Sequence, residues 1–210
     1  MRELGRAGEL ECAAGENDRM QRIQPIELVG AAWAVFGCYW FVQGVRAKRA
    51  ASKEPLSDRL VHIAMMAAAA YLIAANDPRL GRLNERFLPD APWMAGFGVA
   101  LTLAGVGFAI WARYHIGQYW SARVSIVAEH RLIRTGPYAH IRHPIYTGIL
   151  LGLAGTALVV GEYRALVGLA LALYGLARKA QKEEAFLAAQ FGPEFEEYRR
   201  HTGFCLPKFS

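Results

Sequence analysis

The feature that most constrains this 210-residue chain is the run IELVGAAWAVFGCYWFVQGV at 26–45. Its single charge, Glu27, stands beside its start. As a helix it would be about 30 Å long, the thickness of a bilayer's hydrocarbon core. Further apolar runs follow at 60–75 (LVHIAMMAAAAYLIAA), 93–112 (WMAGFGVALTLAGVGFAIWA), 145–161 (IYTGILLGLAGTALVVG) and 165–177 (ALVGLALALYGLA). In lipid, backbone N–H and C=O groups must be satisfied within each segment, and helices do this. The sequence therefore predicts an all-α, polytopic membrane bundle of about five transmembrane helices with a cytoplasmic C-terminal helical cap. Composition agrees: 54% of residues are hydrophobic and only 20% are charged, more apolar than an average soluble domain.

The fifth run is too short to cross a bilayer alone, and no breaker separates it from RKAQKEEAFLAAQF. Residues 164–190 are therefore predicted to form one helix that leaves the membrane and projects into water. GEYR at 161–164 turns the fourth run into it, making a helical hairpin. In the third run, Gly96, Gly98, Gly105 and Gly107 are expected to let neighbouring helices approach closely. The stretch NDPRLGRLNERFLPDAP at 76–92 reads as a Pro/Gly-punctuated loop with a short surface helix. Residues 1–25 hold no apolar signal-peptide core and read as a disordered or surface-lying tail. The chain thus divides into that tail, three N-terminal transmembrane helices over 26–112, and a motif-bearing region over 113–210.

Basic residues give the orientation. The loop at 46–59, the loop at 113–144 and the segment after 177 together carry sixteen Lys and Arg; the N-terminal tail, the loop at 76–92 and the GEYR turn carry eight. The richer set belongs in the cytoplasm, placing the N-terminus outside and the C-terminus inside. The formal charge of +6 reads as cytoplasmic loops beside anionic membrane lipid, with no nucleic-acid partner. Cys12, Cys38 and Cys205 are scattered and fit no metal spacing, no HExxH or HxxxH pattern occurs, and no metal site is expected. Soluble nucleotide-binding motifs are absent.

Three polar clusters interrupt this apolar chain. RTGPYAHIRHPIYTG at 134–148 leads directly into the fourth run. Gly136-Pro137 forces a turn, and His143-Pro144 sets an extended residue before a helix start. Tyr138, Arg142 and His143 then sit on a constrained loop at the membrane interface, with Tyr146 just inside the helix. An interfacial anchor accounts for these residue types, but not for two rigid proline turns. The second cluster is KEEAFLAAQFGPEFEEYRR at 182–200. Glu183 and Glu184 lie about 100° apart on a helix, so at most one is expected to face a shared pocket. A carboxylate there can bind a ribose hydroxyl or an ammonium, or accept a proton; a solvated face with a Lys179–Glu183 pair is the plainer alternative. FGPEFEEYRR reads as a turn and an amphipathic helix with Phe191, Phe195 and Tyr198 inward. The third cluster, HIGQYWSARV at 115–124, offers Gln118, Trp120 and Ser121, with Trp120 also suited to an aromatic belt. His62, near the start of the second run, is either an intramembrane polar site or an interfacial residue.

Gly136-Pro137-Tyr138, Arg142-His143-Pro144, Tyr146-Thr147-Gly148, Glu183-Glu184, Phe191-Gly192-Pro193-Glu194-Phe195, Tyr198 and Pro207 together resemble the signature of the isoprenylcysteine carboxyl methyltransferase family. That family belongs with the phospholipid N-methyltransferases among integral-membrane methyltransferases. GQYWS at 117–121 is similar to a further family element, with Ile116 in place of its Leu. The resemblance implies S-adenosylmethionine as cofactor and a lipophilic small-molecule or lipid acceptor. It implies that Gly136, Pro137, Tyr138, His143, Tyr146 and Glu183 line the cofactor pocket. Arg142 and Glu184 take the catalytic side, pointing at substrate or at the methionine end, while Gln118, Trp120 and Ser121 lie toward substrate. The compact chain resembles the family's minimal prokaryotic members, which implies a prokaryotic inner membrane. A phospholipid-amine N-methyltransferase, or a non-enzymatic scaffold or transporter, are the alternatives the sequence leaves open.

Overall fold

The structure, a computed structural model, describes residues 24–46, 55–117 and 132–208. Its helices are α1 (Pro25–Arg46), α2 (Leu56–Ala74), α3 (Pro92–Ile116), α4 (Pro144–Val160), α5 (Tyr163–Phe191) and α6 (Pro193–His201), with 3-10 segments at Pro78–Asn84 and Gly136–Ala139. Among the described residues there is no strand, only isolated bridges at Arg86–Glu162 and Ile141–Gly203. Prolines set the starts: Pro25, Pro92, Pro144 and Pro193 each open a helix, where the missing N–H has no helical partner to lose. Pro55 does the same for α2, which begins four residues ahead of its apolar run.

Three helices, α1, α2 and α3, are long and apolar enough to cross a membrane. α4 is apolar but only 17 residues long. α5 runs unbroken for 29 residues, so the fifth apolar run is the first half of one long helix, as its lack of a breaker predicts. α3 extends to Ile116 and so carries Arg113, Tyr114 and His115 as its last turn rather than as loop.

The tightest pairing is α3 against α4, and small residues cause it. A Cβ on Gly105 would collide with the Gly152 backbone, and one on Gly148 would lie 2.6 Å from Ala109 N. Gly98 and Gly155 meet in the same way. Of the four glycines expected to do this, Gly98 and Gly105 do; Gly96 and Gly107 face open space on the outward side of the helix. Thr102, fully buried, fills the seam: its Oγ1 lies 2.9 Å from Gly98 O and 3.2 Å from Gly152 O. α1 is tied on by Trp33, whose Nε1 donates to Thr156 Oγ1 at 2.9 Å. Its other face is outward, with Phe41 74% exposed, as a lipid-facing side chain should be. α2 packs on α5, where Ile73 Cγ1 and Ala69 O crowd Gly168.

The alternation of helices leaves two polar ends. At one, Arg164 donates from Nη1 to Ile73 O at 2.8 Å and pairs with Glu162 at 2.6 Å, closing the α4–α5 turn over the end of α2. The other end gathers the last turn of α3, the loop before α4, the polar half of α5, α6 and the C-terminal segment.

Candidate functional site

At that second end the loop 136–143 is held from three sides. Gly136 has φ +58, a conformation side-chain-bearing residues rarely adopt, and a Cβ there would strike the His115 ring. His115 in turn lies 2.9 Å from Thr135 Oγ1 and stacks on Tyr138. Pro137 and Tyr138 are buried in the 3-10 turn, and Tyr138 packs with Ala112 and Ile145. From beyond the loop, Tyr198 of α6 donates its hydroxyl to Tyr138 O at 2.7 Å, and Phe195 is 1% exposed. Phe195 and Tyr198 are therefore inward, as their spacing predicts, and Tyr198 closes onto the loop itself.

The third support is the C-terminal segment. Arg142 N donates to Gly203 O at 2.9 Å and His143 N to Phe204 O at 3.1 Å, while Gly203 N returns a bond to His140 O. Thr147 Oγ1 donates to Cys205 O at 2.7 Å. The Phe204 ring meets the His143 ring edge-on at 4.9 Å. This two-sided backbone pairing fixes the directions in which Arg142 and His143 leave the chain.

Both side chains point at α5. Arg142 Nε lies 2.6 Å from Glu184 Oε1, with the side chains only 10% and 15% exposed. Arg142 Nη1 donates to the carbonyls of Thr202 and Arg199. His143 Nε2 is 3.2 Å from Glu184 Oε1, and its Nδ1 is 3.7 Å from Glu183 Oε2. Tyr146, stacked 5° from parallel on His143, donates its hydroxyl to Glu183 Oε1 at 2.6 Å. The expectation that only one glutamate can face a shared pocket is thus overturned. The 100° between them is spanned because the stacked pair of His143 and Tyr146 presents a polar atom to each, His143 Nε2 to Glu184 and the Tyr146 hydroxyl to Glu183. Glu183 turns to Tyr146, not to solvent as in a Lys179–Glu183 pair.

Electrostatics sort these groups. Burial alone would raise the Glu184 carboxyl, but the His143 and Arg142 hydrogen bonds outweigh it and hold the group below its ordinary range. Burial pushes the Tyr138 and Tyr198 phenols well up, so both remain donors in neutral water. The same cause raises the Cys205 thiol. The Arg142 guanidinium answers Glu184, while Glu183 is met by the Tyr146 hydroxyl. The α4 N-terminus, whose dipole favours negative charge, lies beside them.

A family model described as "Isoprenylcysteine carboxyl methyltransferase (ICMT) family" matches residues 98–189, the stretch that holds the α3–α4 seam, the loop and both glutamates. The matched stretch resembles that family. The chain is similar to the protein-S-isoprenylcysteine O-methyltransferase of Schizosaccharomyces pombe, with 31% identity over 38% of this chain and 34% of that one. It is also similar to the cobalt-zinc-cadmium resistance protein CzcN of Cupriavidus metallidurans, with 34% identity over 58% of this chain and 54% of the relative. The match therefore spans about half or less of these curated relatives. A solved structure of the eukaryotic intramembrane Ras methyltransferase ICMT superposes with a TM-score of 0.59 at 16% identity, covering 91% of this chain and 71% of that one, which establishes the shared fold.

Within this fold the motif residues separate by position. Arg142, His143, Tyr146, Glu183 and Glu184 form one bonded cluster. Gly136, Pro137 and Tyr138 shape the loop behind it, with Gly136 against His115. Gln118, Trp120 and Ser121 lie outside the described residues. Three contributors were not singled out by sequence reasoning. His115 wedges the turn, Thr202 caps α6 through Tyr198 O and offers its carbonyl to Arg142, and Arg113, buried at the end of α3, donates to Gly117 O at 2.8 Å. The signal for Thr202 was faint: a Thr-Gly pair just past a helix ending in Arg-Arg-His, where chains commonly reverse.

Proposed function

We propose that this protein is an integral-membrane methyltransferase that uses S-adenosylmethionine to methylate a lipophilic acceptor at the cytoplasmic face. The observation that carries the reading is the convergence of both adjacent glutamates on the stacked pair of His143 and Tyr146, at the mouth of a membrane helix. The donor set suits the cofactor. It brings two carboxylates together, which suits a sulfonium, and Glu183 can accept from a ribose hydroxyl or an ammonium. Glu183, His143 and Tyr146 would hold the cofactor, with Tyr138 and the Gly136-Pro137 turn backing them. When bound, S-adenosylmethionine supplies an activated methyl group for in-line displacement, and alignment of the acceptor provides most of the rate.

Arg142 and Glu184 act on the acceptor side. Glu184 is held ionised by Arg142 and is a weak base. That favours an acceptor that arrives already ionised, such as a carboxylate, over an amine that must first lose a proton. The S. pombe relative's printed name, protein-S-isoprenylcysteine O-methyltransferase, points the same way. The membrane supplies the remaining logic: a lipid acceptor enters sideways between spans, and a water-soluble cofactor enters from the cytoplasm. The functional unit is the region 113–210, carried on the three N-terminal helices, in a prokaryotic inner membrane with the N-terminus outside. Gln118, Trp120 and Ser121 are assigned to the acceptor side of the same mouth.

The test is transfer of labelled methyl from S-adenosylmethionine to lipid by purified protein in vesicles, offered a prenylated cysteine or phosphatidylethanolamine. A methyl ester releases its label in mild alkali and an N-methyl amine does not. Alkali-labile product supports the carboxyl acceptor, and alkali-stable product supports the amine. Transfer to neither class of acceptor would return the protein to the scaffold or transporter readings.

A further inference from the structure

A second feature lies outside the carboxylate cluster, on another face of α5. There α2 and α5 frame a groove lined by Met65, Gly175, Arg178, Lys179, Lys182 and Asp58. Met65 and Gly175 make its apolar part; a Cβ on Gly175 would reach Met65 Cε at 3.4 Å, so the glycine leaves the space beside Met65 open. The basic side chains make its rim. Lys182 Nζ pairs with Asp58 Oδ2 at 2.8 Å, with the two side chains 37% and 36% exposed. The Arg178 guanidinium lies over the Tyr174 ring, 5.9 Å from its centroid. Three cations face one carboxylate, so positive charge remains at Arg178 and Lys179 after Asp58 has been answered.

Depth decides what this groove suits. α5 changes from ALVGLALALYGLA to RKAQK at residue 178, so the rim marks the water–lipid boundary and the apolar part lies on the lipid side. Tyr174 and Leu173, 58% and 53% exposed, continue the outward apolar surface along α5. A ligand that fits must carry an anion at one end and a hydrocarbon chain at the other. We propose that the groove between α2 and α5 is a binding site for an anionic phospholipid, its phosphate at Arg178 and Lys179 and its first acyl carbons along Met65 and Gly175. Juxtamembrane basic residues draw anionic lipid in this way, and a pocket between helices adds selectivity to that attraction. Lys182 directly precedes Glu183 and Glu184, so a lipid bound here braces the part of α5 that presents both carboxylates. The inference does not depend on methyl transfer.

The experiment titrates short-chain phosphatidylglycerol into detergent-purified full-length protein, with short-chain phosphatidylcholine and inorganic phosphate as separate arms. The expected result is saturable phosphatidylglycerol binding, weaker by roughly tenfold or more in Arg178→Gln/Lys179→Gln. Phosphatidylcholine and phosphate should bind far less. In the unmodified protein, binding should weaken as salt is raised. Equal binding by the double variant would overturn the site. Phosphate binding as tightly as the lipid would make it a soluble-anion site. Salt-insensitive phosphatidylglycerol binding by the unmodified protein would overturn the charge argument even if the variant failed to fold.

Discussion

Arg142 Nε and Glu184 Oε1 lie 2.6 Å apart across 42 residues of chain, joining the loop before α4 to the polar half of α5. This mostly buried pair is the mechanical link between the two polar clusters. Glu184→Gln should cost about 1.5–3 kcal/mol of stability, the usual value of a hydrogen bond to a charged group. The pH dependence follows from the depressed carboxyl. Unfolded, it titrates near 4.5; folded, it titrates lower. The native state thus binds fewer protons, and the contribution is complete above about pH 4.5 and fades as pH falls through the lower folded value. Melting temperature followed downward from neutral pH should drop more steeply in the unmodified protein than in Glu184→Gln. Parallel curves would mean that the pair does not stabilise the fold.

The α3–α4 seam makes a sharper contrast. Gly105 touches the Gly152 backbone, and Gly107, half a turn away, touches nothing. Gly105→Leu should lose about 1–3 kcal/mol through overpacking, or fail to assemble. Gly107→Ala should be neutral or slightly stabilising, since alanine is the better helix former. Unfolding in detergent would distinguish them, and equal behaviour would mean that the seam is not close-packed.

Tyr198→Phe removes only the hydroxyl that donates to Tyr138 O. Leaving that buried carbonyl without its partner should cost about 1–3 kcal/mol. Because α6 clasps the loop, the variant should also bind S-adenosylmethionine more weakly. A variant with full stability and full affinity would reduce α6 to a passenger.

Much of this architecture was legible in the sequence because membrane helices are specified by local composition. The apolar runs, the proline starts and the unbroken 164–190 stretch each carry their own signal, and α5 follows within a residue at either end. The glycines were legible only in part. Periodicity reveals neither which face meets a neighbour nor that Gly96 and Gly107 point away. The placement of the two glutamates is hidden in the sequence for a related reason. Helical geometry alone separates Glu183 from Glu184, and only the path of the loop and the start of α4 reveals that His143 meets one and Tyr146 the other. The clasp at Thr202–Cys205 depends on backbone pairing across some sixty residues, to which side-chain identities contribute almost nothing.

The central claim is that the His143 cluster holds S-adenosylmethionine, and calorimetric titration of the cofactor into detergent-purified protein tests it most directly. Saturable binding by the unmodified protein, lost or strongly weakened in a folded His143→Ala variant, is the predicted result. No binding by folded, unmodified protein, or unchanged affinity in His143→Ala, would contradict it.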